Sequence, residues 1–228
     1  MVIEVEIMKT WQSIPIAVLI LMGCVLWGEE RVKTFTARDA SEENVFSYGS
    51  VYVKVNPDLK YTNVSGNIKI EIMGKLSTPT KRDFHIFIRP GLDNMVLIET
   101  HTRSHPHTFE QHQDLTKNMT TIQKGKKPID GKIWDVYTRA HPRFPEQILS
   151  AVRQEGIRIE PYRCGLEIGV VRVINRFNRI YVRYIKGFDD CQGLPQNGSI
   201  LSDEQIRLIR EFAKQFDENI TISDQSGS

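Results

Sequence analysis

Cysteine is scarce: the 228 residues hold three, Cys24, Cys164 and Cys191. That excludes a disulfide-dense miniprotein and a multi-cysteine zinc module. An excess of one charge is also lacking. Thirty basic residues meet 28 acidic ones, a formal +2, so no global field steers nucleic acid or acidic polymers, and no nucleic-acid partner is expected. Internal repeats and low-complexity tracts are absent from the sequence. So are the usual signatures of catalysis. Ser50, in YGSVY, lacks the residues of a nucleophile elbow. Asp189 and Asp190 are adjacent, and adjacent side chains on a strand point to opposite sides. Lys124-Gly125-Lys126-Lys127 has no following Ser or Thr and no strand-to-helix setting for a phosphate loop. These absences lead us to expect no enzyme and no cofactor.

What is present is enough for a core: 40% hydrophobic and 25% charged residues, normal for a globular chain of one domain. Strand signals dominate. Period-two alternation covers 47–55 (SYGSVYVKV), 67–75 (NIKIEIMGK), 83–89 (DFHIFIR), 94–102 (NMVLIETHT) and 132–138 (KIWDVYT). Such alternation predicts strands with one buried and one wet face, as in antiparallel sheets. The stretch 103–131 has no regular pattern and is long for a loop. Pro145 opens a helix predicted over 145–155, stopped by Gly156. A hairpin follows, 166–174 and 179–186, turning near Asn175–Asn178. A second helix is predicted over 203–217, with Ser202 and Gln205 as a capping box and Ile206, Ile209, Phe212 and Phe216 as its apolar stripe. No βαβ unit recurs. The expected fold is therefore α+β: one domain over 47–222, a mainly antiparallel sheet with two helices, and a frayed tail at 223–228.

The N-terminus differs in kind. Ile14–Trp27 (IPIAVLILMGCVLW) is 14 residues without a charge. As a helix it would measure about 21 Å, short against a hydrocarbon core of about 30 Å. Lys9 supplies the preceding positive charge, whereas Glu4 and Glu6 do not suit an export signal, so Met8 is the expected start. The run Leu21-Met22-Gly23-Cys24 resembles the lipobox of bacterial exported lipoproteins. The resemblance implies a signal peptide over 1–23, lipidation of Cys24, and a polar tether over 24–46. It places the chain in the cell envelope, anchored to the inner or outer membrane, with its domain facing the periplasm or exterior. An uncleaved anchor over 13–28, or cleavage after Gly28, would also export the bulk of the chain.

Three groups of side chains are candidate sites. His101, His105, His107 and His112 cluster in HTRSHPHTFEQH. Neutral imidazoles suit zinc, copper or nickel, although these spacings match no specific motif and polar residues on a strand end and its loop are the favoured reading. Arg172, Arg179 and Arg183 punctuate the hairpin. Placing Arg172 opposite Arg183 would form a basic patch for anionic headgroups or an acidic envelope partner. With Cys24 lipidated, Cys164 and Cys191 remain, and an oxidising compartment favours their pairing over two free thiols. A Phe177-Asn178 turn puts Cys164 opposite Cys191; an Arg176-Phe177 turn puts it opposite Asp189. Asn63, Asn118, Asn197 and Asn219 begin Asn-x-Ser/Thr triplets, chance matches in a bacterial chain. The leading expectation is a non-enzymatic, lipid-anchored binding or structural protein. The alternative is a metal-binding or hydrolytic periplasmic protein using the histidines.

Overall fold

The computed structural model describes residues 44–65, 80–88, 94–103, 109, 115–117, 119–141 and 164–224. Over these residues the protein is mostly antiparallel β-sheet with one helix. The helix expected over 145–155 and the strand expected over 67–75 lie outside the described residues, as do Cys24, His105, His107 and His112.

A small sheet contains β1 (Val45–Tyr48), β2 (Val51–Val55) and β10 (Ile220–Asp224), in the order β1-β2-β10. Val51, Val53 and Val55 face inward and alternate with exposed Tyr52 and Lys54. The single strand expected over 47–55 is two strands. Gly49 takes a positive φ of 65°, which reverses the chain between Tyr48 and its partner Val51. The frayed tail expected from 223 does not begin there: Ser223 and Asp224 belong to β10, whose ITISD is a β-branched run that pairs along β2 from Ile220↔Val55 to Asp224↔Val51.

The large sheet has seven strands: β3 (Lys60–Ser65), β4 (Thr80–Ile88), β5 (Asn94–Arg103), β6 (Gln123–Ile129), β7 (Lys132–His141), β8 (Cys164–Asn175) and β9 (Asn178–Phe188). Their order is β3-β4-β5-β9-β8-β7-β6, all pairs antiparallel. β6 comes from the stretch that showed no pattern: QKGKKPI is exposed up to its last residue and has no apolar alternation to betray it. Asp130 and Gly131, both at positive φ, close its hairpin to β7.

The central strand β9 and its neighbours β5 and β8 are buried on both faces over most of their length. This corrects the expectation of one dry and one wet face. One face, here the core face, carries Val96, Ile98, Trp134, Leu166, Val170, Ile180, Val182 and Tyr184. The helix α1 (Asp203–Asn219) caps as its sequence predicts: Ser202 Oγ accepts from Gln205 N at 3.3 Å, and Gln205 Oε1 accepts from Ser202 N at 3.1 Å. It buries Ile209, Phe212 and Phe216, and Phe212 meets the core-face Tyr184 with ring centroids 5.3 Å apart.

The β8–β9 hairpin turns at Arg176–Phe177. Asn175 Oδ1 accepts from Phe177 N at 2.9 Å and from Asn178 N at 3.0 Å, an Asx turn that fixes the reversal. Asn175 faces Asn178 and Val173 faces Arg179, so Ile174 is an extra residue, a bulge. The bulge shifts the register by one. Cys164 then faces Phe188 rather than Cys191 or Asp189. Beyond the strand the chain returns, bringing Cys191 to disulfide distance of Cys164, with Cα atoms 5.8 Å apart.

Candidate functional site

The second face of the large sheet carries charge where a core would carry hydrocarbon. Strand register lays it out in rows. Arg82, His101 and Arg179 stand side by side across β4, β5 and β9. In the next row Glu99 stands beside Tyr181. Beyond it Arg183, Gly169 and Tyr137 align across β9, β8 and β7, followed by Glu167 beside Arg139. Directly opposed residues share a face, so all of these project the same way.

Two carboxylates organise this face. Glu99, 2% exposed, accepts from Arg183 Nη2 and lies 2.5 Å from His101 Nε2 and 3.6 Å from Arg82 Nη1. Glu167, fully buried, accepts from Tyr137 Oη at 2.6 Å and Arg139 Nη2 at 3.0 Å, and bonds His141 Nε2. Arg183 links the two, its Nε 3.8 Å from Glu167 Oε1. Gly169 makes room for this arrangement: a Cβ there would fall 2.5 Å from the Tyr137 ring carbon Cζ and hydroxyl.

The electrostatics follow from burial set against pairing. Burial pushes the Glu99 carboxyl up, but Arg183, the bond from His101 and the charge of Arg82 outweigh it and hold it at about 2. Glu167 is likewise held well below the usual carboxylate range, burial being overcome by Arg183, His141 and Arg139. Burial would lower Arg183, yet Glu99, Tyr137 and Glu167 raise it above its ordinary value. His101 falls to about 4, chiefly through burial, with Glu99 opposing and Arg179 and Arg82 adding to the fall. Its bonds agree. Arg179 Nη2 can only donate, so His101 Nδ1, at 2.7 Å, accepts, and Nε2–H donates to Glu99. His101 is therefore neutral with its proton on Nε2.

Of the histidine cluster, His101 alone is described. Both its ring nitrogens are committed, which leaves no lone pair for a metal. No group of three or more metal-ligating side chains occurs among the described residues. Of the arginine trio, Arg179 and Arg183 share the charged face. Arg172 does not join them: it faces Ile180 on the core side and pairs with Asp224 of β10, because the Ile174 bulge inverted its parity. Arg183 is also enclosed, its side chain 14% exposed, so the trio is not a surface patch.

Sequence reasoning missed Glu99, Glu167, Arg82, Tyr137, Arg139 and His141. A signal was there. Met95-Val96-Leu97-Ile98 and Val170-Val171 are apolar at both parities, the mark of strands covered on both sides. A Glu inside such a run must be buried, and a buried carboxylate needs cations. The chain matches no family model, no curated protein and no solved structure.

Proposed function

We propose that the protein is an exported, lipid-anchored component of the cell envelope, whose β-rich domain has a binding or structural role rather than an enzymatic one. The observation that carries the reading is the Cys164–Cys191 pair at disulfide distance, since such bonds persist in oxidising compartments. The apolar segment ending in Leu21-Met22-Gly23-Cys24 supports the same address. A non-enzymatic role draws on the charged face. Glu99–His101 and Glu167–His141 are the carboxylate–histidine pairs there. Both carboxylates are buried, saturated with donors and held ionised, which suits a fixed scaffold better than acid–base chemistry near neutral pH.

The anchor is tested by metabolic labelling with a fatty acid in the native host. The parent incorporates label and partitions into detergent; Cys24→Ser does neither. Equal labelling of both would remove the lipoprotein reading. Intact mass with and without reductant before alkylation tests the address separately: both thiols blocked without reductant would contradict an oxidising compartment.

A further inference from the structure

We propose that the row Arg82–His101–Arg179 is a binding site for a phosphate group. It is independent of the anchor proposed above, because it rests on the folded sheet alone.

The starting point is a charge imbalance in an enclosed place. On the charged face five guanidiniums, Arg82, Arg103, Arg139, Arg179 and Arg183, meet three carboxylates among the described residues, Glu99, Glu167 and Asp135, the last of which is held by Lys126 and the Leu115 N–H at the far end of the face. Glu167 is taken by Arg139, Arg183 and His141, and Glu99 by Arg183 and His101. Arg82 reaches only the already engaged Glu99, at 3.6 Å. Arg179 has no carboxylate within ion-pair distance among the described residues. Its contacts are the neutral His101 and the faces of Phe109 and Tyr181, 4.5 and 5.0 Å away, and its buried Nε has no hydrogen-bond partner. Ring faces hold a guanidinium in place without neutralising it. Buried charge is ordinarily matched by opposite charge, and among the described residues no carboxylate matches Arg179 at this end of the face.

That end has the geometry to receive one. Arg82 and Arg179 flank His101 on opposite strands, with backbones about 10 Å apart across two strand spacings. Their forks can converge from two sides on a group with three or more acceptor oxygens, which a phosphate offers and a carboxylate does not. Both arginines are partly exposed, unlike the buried carboxylates beside them, so solvent reaches the row. His101 contributes position. Locked as the neutral tautomer, it accepts from Arg179 and aims the guanidinium without adding a charge of its own. Arg103 also stacks on Phe109, 4.1 Å from the ring centroid.

The phosphate could be free in solution or the headgroup of an anionic phospholipid. The full-length protein in a zwitterionic detergent is titrated with inorganic phosphate and, separately, with dihexanoyl phosphatidic acid, following heat and the ring resonances of His101. The expected result is saturable one-site binding of at least one probe, shifting the His101 signals. Arg179→Gln, whose amide still donates to His101, weakens binding at least about tenfold, the scale of one lost charge-assisted contact. Arg82→Gln, at a partly exposed position, weakens it as well. Phosphate binding alone assigns a free anion; phosphatidic acid binding alone assigns a lipid headgroup. The proposal is overturned if the folded parent binds neither probe saturably, or if both variants bind as the parent does.

Discussion

The two faces of the large sheet both bury groups at their centre and are built on different principles. The core face excludes water with hydrocarbon: Ile180, Val182 and Leu166 are each fully enclosed, and any of them can lose a methylene and leave a small void. The charged face excludes water around Glu99, Glu167 and Arg183, where each group is tolerable only because of its partner. Burial thus carries a different fragility on each face. On one side the loss scales with volume; on the other it scales with the charge left stranded.

The sharpest way to break this comparison is a pair of near-isosteric changes. Glu167→Gln keeps the shape and removes the charge that Arg139, Arg183 and His141 share, and is expected to cost about 3–5 kcal/mol in denaturant unfolding. Ile180→Val on the core face costs about 1 kcal/mol. If Glu167→Gln were the milder of the two, the charged face would not be the fragile one.

Next in size is the Cys164–Cys191 bond at the end of β8. Closing a separation of 27 residues is worth about 3–4 kcal/mol in the chain-entropy view, so reduction lowers the urea midpoint accordingly. An unchanged midpoint would show that the bond constrains nothing.

Acid probes both faces at once, because each holds one buried histidine. His85, on the core side against Phe46, is lowered to about 4 mainly by burial, as is His101 on the charged side. The folded values lie below the unfolded value near 6.5, so as pH falls the unfolded chain takes up the protons first. Stability is therefore lost from about pH 6.5 down to about 4, each histidine contributing about 3 kcal/mol over that window. Glu99, folded near 2, extends the loss below pH 4.5. His85→Gln and His101→Gln should each remove about half of the slope between pH 6.5 and 4.5. A slope that survives both changes would place the acid sensitivity elsewhere.

The smallest effect belongs to the rim. Lys127 of β6 bonds Asp217 of α1 at 2.7 Å, but both are largely in solvent. A double-mutant cycle should return under about 1 kcal/mol, vanishing in high salt.

Much of this architecture was legible in the sequence. The strand character of β4 and β5, though not their burial on both faces, the capping box of α1 and the pairing of Cys164 with Cys191 were all expected. Three features were not. β6 has no apolar residue before Ile129, so an edge strand defined by pairing alone leaves no periodic trace. The basic trio failed through a single residue. Parity along β8 holds until Ile174, and a bulge inserted there sends Arg172 to the side opposite Arg183, although the spacing on either side looks regular. The charged face was hidden differently: Glu99 and Glu167 read as solvent-facing residues until it is known that both sides of their strands are covered.

The small sheet has a consequence for the order of assembly. Its outer strand β10 is the last described element, and it completes a pairing with β2, near the beginning. A chain delivered N-terminus first presents β2 early, with one edge open, and cannot close it until Ile220–Asp224 arrives. Val55 must find Ile220 across nearly the whole domain, a loop closure that long-range strand pairings make slow. The final five-residue strand therefore acts as a latch on synthesis: truncation ahead of Ile220 should leave a chain that collapses but holds an unpaired, aggregation-prone edge.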